Sequence, residues 1–154
     1  MTPSMPLRQI AAHLSACYPA EGCGLLLADA AGTLSFAPIA NIAGTAVARA
    51  TSGRSGRDGY VMDPKALLAA LEAAERAGGR LYAIVHSHPD VGAYFSREDR
   101  DMALGGGEEP LWPDVRYLVV SVRSGTVDRA RFYTWDAARR DFLEEEVPEI
   151  TQYS

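Results

Sequence analysis

Cysteine is scarce: the 154 residues hold two, Cys17 and Cys23, and no CxxC pair. That excludes a disulfide scaffold and a thiolate zinc knuckle, and in a reducing compartment the two are most simply free thiols. Positive charge is in deficit. Fifteen Lys+Arg against 20 Asp+Glu leave a net charge of −5, and the basic residues gather into no stripe. Nucleic acid and an anionic membrane surface are therefore poor partners. Long apolar runs are missing too; none approaches the roughly 20 residues that span a bilayer. The opening MTPSMPLRQIAAHL lacks the basic, apolar and small-residue order of a signal peptide, so the chain is expected to be cytoplasmic. There is no internal repeat, no GxSxG nucleophile elbow and no GK[ST] to make a phosphate loop of the Gly-rich residues 52–59.

What remains is an ordinary globular composition, 47% hydrophobic and 23% charged. The length predicts one domain, residues 1–154, large enough to bury roughly two-thirds of its unfolded surface without a staple. Leu7, Ile10, Ala11 and Leu14 recur at i, i+3, i+4, i+7, the stripe of a first helix. GLLLAD (24–29) and TLSFAPI (33–39) read as a hairpin. Residues 43–59 form a long, Gly-rich, aperiodic loop, a length that in a compact domain marks function or disorder. Asp63-Pro64 reads as an N-cap with proline at the first helical position, opening a helix with Leu67, Leu68, Leu71 and Ala74 that stops at Gly78-Gly79.

LYAIVHSH (81–88) is nearly continuous apolar until its histidines, as a strand covered on both faces would be. Ser96 opens a short helix, REDRDMAL; 105–114 is a loop; RYLVVSV (116–122) and TVDRARFYTW (126–135) pair; RRDFLEEEV (139–147) is an exposed edge strand. Helices packed on a mostly antiparallel or mixed sheet make the fold α/β or α+β.

His86 and His88 are two apart in a strand and so share a face. Two imidazoles at a strand end suit a metal, and Pro89 keeps His88 extended. A catalytic zinc takes three protein ligands and leaves one position open. Asp99 is the preferred third ligand. Ser96 and Asp99 lie three apart on one side of the short helix, whereas Asp101 is rotated off it, and Glu98 and Asp90 have no such pairing. The plainer reading is two polar histidines satisfied in the core. His13 reads as a boundary residue, Cys23 as buried and inert, and Glu144–Glu146 as a solvated edge that discourages strand pairing.

In HSHP-x6-S-x2-D, seven residues separate His88 from Ser96 and two more precede Asp99. This pattern resembles the signature of the JAMM (MPN+, Mov34/PAD-1) metallopeptidases, in their short bacterial form. EGCGLLL (21–27) resembles that family's glutamate segment, and DGYVMDP and LWPDVRYLVVSV are similar to its short members. The resemblance runs from about residue 7 to 147, and the five key positions show no departure. It implies a JAMM/MPN-like, cytidine-deaminase-like sandwich and a zinc peptidase. His86, His88 and Asp99 would hold one Zn²⁺ per chain, with water at the fourth position made acidic to a pKa of about 7. Glu21 would be the general base and then the acid for the leaving amine. Ser96 would donate to the oxyanion.

The implied substrate is the Gly-Gly tail of a ubiquitin-like or sulfur-carrier protein, trimmed or relieved of an attached amino acid such as cysteine, as in cysteine biosynthesis. A thin Gly-Gly tail can lie extended beside a strand. The short Gly105–Pro113 stretch favours a small carrier over a ubiquitin chain. Arg49, Arg54 and Arg57 are candidate contacts to an acidic carrier, though a solvated loop is the plainer reading. The competing readings are a deconjugating protease of a bacterial ubiquitin-like system and a non-catalytic MPN scaffold. A zinc deaminase is disfavoured by the absent CxxC.

Overall fold

The structure is a computed structural model that describes residues 4–45 and 59–154. Residues 46–58, with Arg49, Arg54 and Arg57, lie outside the described residues.

Alternation of apolar residues along the strands builds one six-stranded sheet with a layer on each face. In chain order the elements are α1 (Leu7–Cys17), β1 (Cys23–Ala28), β2 (Leu34–Ile39), α2 (Pro64–Arg76), β3 (Arg80–Pro89), α3 (Arg97–Leu104), β4 (Arg116–Arg123), β5 (Thr126–Asp136) and β6 (Asp141–Glu146), followed by a 3-10 turn at Pro148–Tyr153. The strand order is β2-β1-β3-β4-β5-β6. All neighbours are antiparallel except β3 and β4, which run parallel. A parallel pair needs a crossover, and the segment containing α3 supplies it. The mixed sheet expected from the sequence is thus present. The sequence pattern left open the parallel pair at its centre and did not show the closing 3-10 turn.

Successive side chains go to opposite faces. On one face Leu26, Val85, Leu118 and Val120 pack against Leu7, Ile10, Ala11 and Leu14 of α1 and Ile150 of the terminal turn. The stripe expected of α1 is its buried face. On the other face Leu25, Ile84, Val119 and Tyr133 meet Leu67 and Leu71 of α2 and the aromatic side chains of Phe95 and Phe142. Asp63 caps α2 as expected, its side chain accepting from Lys65 N at 3.2 Å. Of the leucines expected on α2, Leu67 and Leu71 pack towards the sheet, whereas Leu68 is 57% exposed and α2 has no fully buried residue. β6 is an edge strand whose acids pair with arginines of β5: Arg131 with Glu144 and Glu146, and Arg129 with Glu146. No helix among the described residues is long and apolar enough to cross a membrane.

Candidate metal centre

The centre forms at the C-terminal end of β3, on the α2 face. Ile84, His86 and His88 share parity along the strand, so both imidazoles continue the side on which Ile84 packs. Both rings are buried. β1 supplies the next residue through its register. Cys23 lies opposite His86 and Gly24 opposite Val85. Gly22 continues the ladder: its N–H donates to Ser87 Oγ at 2.8 Å, and its carbonyl accepts from Ser87 N at 2.9 Å. One step further sets Glu21 opposite His88. Glu21 is 6% exposed, and its carboxylate and one nitrogen from each histidine all lie within 4.8 Å of one another. Gly22 suits this approach: a Cβ there would stand 2.8 Å from Leu14 Cδ2 and 3.1 Å from Cys17 Sγ, so these side chains of α1 would have to shift.

Asp99 arrives from the crossover. Asp90, in the left-handed region at φ 61°, holds Ser124 N at 2.8 Å and Tyr18 Oη at 2.6 Å. Asp90 is thus a structural clamp away from the histidines. Tyr133 donates to Ala93 O at 2.6 Å, and Phe95 stacks on Tyr133 at 4.9 Å. These anchors turn the chain back, and Ser96 starts α3 with a capping box: Asp99 N donates to Ser96 Oγ and Ser96 N donates to Asp99 Oδ2, each at 3.0 Å. Ser96 is therefore the N-cap of α3, one position before the helix proper, and its half-exposed hydroxyl keeps its own hydrogen to donate.

The same Asp99 carboxylate meets both imidazoles. Oδ1 lies 3.2 Å from His86 Nε2, and Oδ2 lies 3.1 Å from His88 Nε2. The two Nε2 atoms are 3.2 Å apart. His88 Nδ1 stands 3.1 Å from Gly92 O. A carbonyl only accepts, so Nδ1 carries a hydrogen, and this contact turns Nε2 towards the cluster. Zinc with ligands at about 2.0–2.1 Å in tetrahedral array separates those ligands by about 3.3 Å. The Nε2–Nε2 separation matches this closely, the Asp99 carboxylate offers one oxygen to each imidazole at a similar distance, and a donor set of two nitrogens and a carboxylate is one zinc accepts.

The electrostatics agree. Burial alone would raise the Asp99 carboxyl, but His86 first and then His88 outweigh it and hold it well below the usual carboxylate range. Burial alone would lower His88, but the hydrogen bond and charge of Asp99 raise it. The carboxylate and the imidazoles thus each favour the charged form of the other.

Two rings flank it: Tyr60 stacks on His86 at 4.7 Å and 25°, and Tyr94 sets its edge to His88 at 5.0 Å. Tyr60 is buried, and that burial first, then Asp99, keeps its hydroxyl neutral by raising it well above its ordinary value. Neither tyrosine carries a local sequence signal for this place: the backbone at Gly59–Val61, bonded to Asn41, brings in Tyr60, and the return of the crossover brings in Tyr94. Beside Tyr60, between α2 and the sheet, an apolar cavity of about 530 Å³ is lined by Leu67, Leu71, Ile84, Met102 and Trp112 among others.

His13 lies outside the centre, its Nε2 3.0 Å from Cys23 O. Cys23 is buried and its thiol is pushed up to about 12, by burial first and then by the charges of Cys17 and Glu21. Both match the roles expected of them.

A family model described as prokaryotic homologs of the JAB domain, Prok-JAB, matches residues 4–136. Desampylase from Haloferax volcanii is 34% identical over 105 residues, which are 67% of this chain and 63% of that protein. The chain thus spans somewhat less than two-thirds of that relative's length. Among solved structures, a protein from Salinibacter ruber superposes with a TM-score of 0.60 at 28% identity, covering 96% of this chain and 90% of that one. A JAB1/MPN domain protein from Archaeoglobus fulgidus gives a TM-score of 0.49 at 16% identity, with 92% of each chain covered.

Proposed function

Since the chain belongs to the Prok-JAB family, the prokaryotic homologs of the JAB domain, we propose that it is a zinc-dependent peptidase or isopeptidase acting on a ubiquitin-like or sulfur-carrier protein. It would hydrolyse the bond after that protein's C-terminal Gly-Gly. The observation that carries the reading is the buried cluster in which His86 Nε2 and His88 Nε2 lie 3.2 Å apart and each meets one oxygen of the Asp99 carboxylate at 3.1–3.2 Å, with the Glu21 carboxylate buried beside it. The relative named Desampylase supports removal of a ubiquitin-like modifier from its target. The short connection at 105–113 supports a small modifier or carrier over a ubiquitin chain.

His86, His88 and Asp99 are the residues that would hold the zinc. Bound there, zinc supplies Lewis acidity, polarising a carbonyl and lowering the pKa of water to about 7. Glu21 takes the proton of the attacking water and returns it to the departing amine as the C–N bond breaks and the C–O bond forms. Burial beside the histidines suits the carboxylate to this exchange, because little solvent competes for the proton. The Ser96 hydroxyl, its lone pair engaged by Asp99 N, donates its hydrogen to the carbonyl oxygen as charge develops there. Gly92 O orients His88, and Ser96 N orients Asp99, so the ligands are fixed before substrate arrives.

The test is intact mass. A Gly-Gly-tailed carrier extended at its C-terminus, and a modifier joined through its Gly-Gly to a target lysine, are incubated with the zinc-loaded chain and with a chelator-treated sample. Loss of everything after Gly-Gly, abolished by chelator, supports the proposal, and the substrate cut faster sets the bond type. No cleavage of either by protein holding one zinc per chain would sink it in favour of a non-catalytic scaffold.

A further inference from the structure

The side chain of Asn41 ties the arms on either side of residues 46–58 to each other and to the backbone of Glu21, just before β1. An asparagine amide offers two N–H hydrogens and two oxygen lone pairs, and Asn41 uses all four. Nδ2 donates to Glu21 O at 2.8 Å and to Gly59 O at 3.3 Å. Oδ1 accepts from Ala43 N and Val61 N, each at 3.0 Å. The orientation of the amide is settled by its neighbours, two carbonyls at one end and two N–H groups at the other.

These bonds do more than close a loop. The two arms already pair without the side chain: Ile42 N donates to Val61 O at 2.8 Å, Asp63 N to Ala40 O at 3.0 Å, and Asn41 bridges Met62. The bond that loop closure leaves unexplained is the one to Glu21 O. Gly59 and Val61, meanwhile, bracket Tyr60, whose ring lies on His86 at 4.7 Å. One half-buried amide therefore fastens the backbone of the proposed general base to the backbone that holds the ring over a proposed zinc ligand.

We propose that Asn41 is the positioning residue of the centre, setting the Glu21 carboxylate and the Tyr60 ring relative to His86 and His88 through this four-bond hub. The assignment rests on the peptidase reading for its consequence in catalysis, but the mechanical coupling stands apart from it. A shift of about 1 Å in a positioned group can cost a hundredfold in rate. An effect confined to positioning appears in kcat more than in KM.

The sharpest variant is Asn41→Asp. It keeps the oxygen that Ala43 and Val61 use and replaces the donor by a second oxygen facing two carbonyls. Asn41→Ala removes all four bonds without adding charge, and it serves should the aspartate disturb folding. The first readout needs no activity: hydrogen exchange followed by mass spectrometry on native protein and both variants. Peptides covering 20–23 and 59–62 should lose protection together while β4 and β5 keep theirs. Unchanged exchange, or loss in only one of the two peptides, would overturn the coupling. The second readout is kinetic, on whichever Gly-Gly substrate the native chain cleaves. Asn41→Asp should lower kcat roughly 10- to 100-fold with KM little moved and one zinc per chain retained; an unchanged kcat would overturn the positioning role. If the native chain cleaves neither substrate, the peptidase reading falls and the exchange comparison alone decides the hub.

Discussion

The two faces of the sheet are built to different tolerances. Beneath α1, Ile10, Leu14, Leu26, Leu118 and Ile150 are fully buried. Beneath α2 the helix contributes no fully buried residue, Leu68 is 57% and Trp112 48% exposed, and a cavity of about 530 Å³ remains. The cluster of His86, His88, Asp99 and Glu21 stands on the second, looser face. Stability and chemistry are thus divided between the two sides of one β3 strand: Val85 and Ser87 face the tight layer, and Ile84, His86 and His88 the open one. Binding sites are drawn from the less stable parts of proteins for this reason, and here the partition is made by strand parity alone.

The largest expected effects break the open face without touching the other. Asp99→Ala should lose both zinc and turnover, since it removes a ligand and leaves two imidazoles. Glu21→Gln should keep one zinc per chain and lower kcat by roughly 10²–10⁴-fold. Metal content by mass spectrometry beside a cleavage assay separates them, and full activity in Glu21→Gln would remove Glu21 from the mechanism. Next comes the contrast in stability. Leu14→Ala under α1 should cost about 2–5 kcal/mol, whereas Leu68→Ala on α2 should stay within about 0.5 kcal/mol. Urea denaturation of the two variants would show it, and equal costs would mean that the faces do not differ as described.

Ser96 sharpens the comparison because it acts on both levels. Ser96→Ala should lose about 1 kcal/mol with the cap and roughly a hundredfold in rate with the donor. Ser96→Asp should recover much of the cap but not the rate; recovery of both would leave the hydroxyl no catalytic part. The smallest effect concerns Cys23. Its thiol is raised from 9.0 to about 12, so it stays neutral in the folded chain. Native protein at pH 8 should resist iodoacetamide at this position, while the unfolded chain reacts. Because the folded value lies above the unfolded one, the associated stability is fully present below about pH 9 and fades as pH rises towards 12. Fast labelling of native Cys23 would contradict its burial.

How much of this could be read in advance follows from the range of each interaction. The α1 stripe, the Asp63 cap, the strand ending in HSH and the Ser96–Asp99 pairing rest on periods of two to four residues and appear in the sequence as they do in space. Glu21 is different. Nothing local in EGCG points to a site; its place beside His88 depends on the β1–β3 register, which joins Cys23 to His86 and Gly22 to Ser87 across more than sixty positions, and the family resemblance alone indicated it. Asn41 and Tyr60 gave no signal for the same reason: an aperiodic loop shows its contacts only after the ladder has closed. The exposure of Leu68 is not legible either, because the sequence places the leucines on a helix without saying how much sheet lies under it.

Asp99 Oδ2 accepts from the N-cap of α3 while standing 3.1 Å from His88 Nε2. An ion gripping this carboxylate would therefore also grip the helix start, and linkage makes the effect reciprocal. Whatever order the ion lends to α3, an ordered α3 returns as affinity for the ion. The helix carries Met102 into the wall of the apolar cavity. An ion held at Asp99 would thus bear, through α3, on the wall of a cavity that Trp112 also lines.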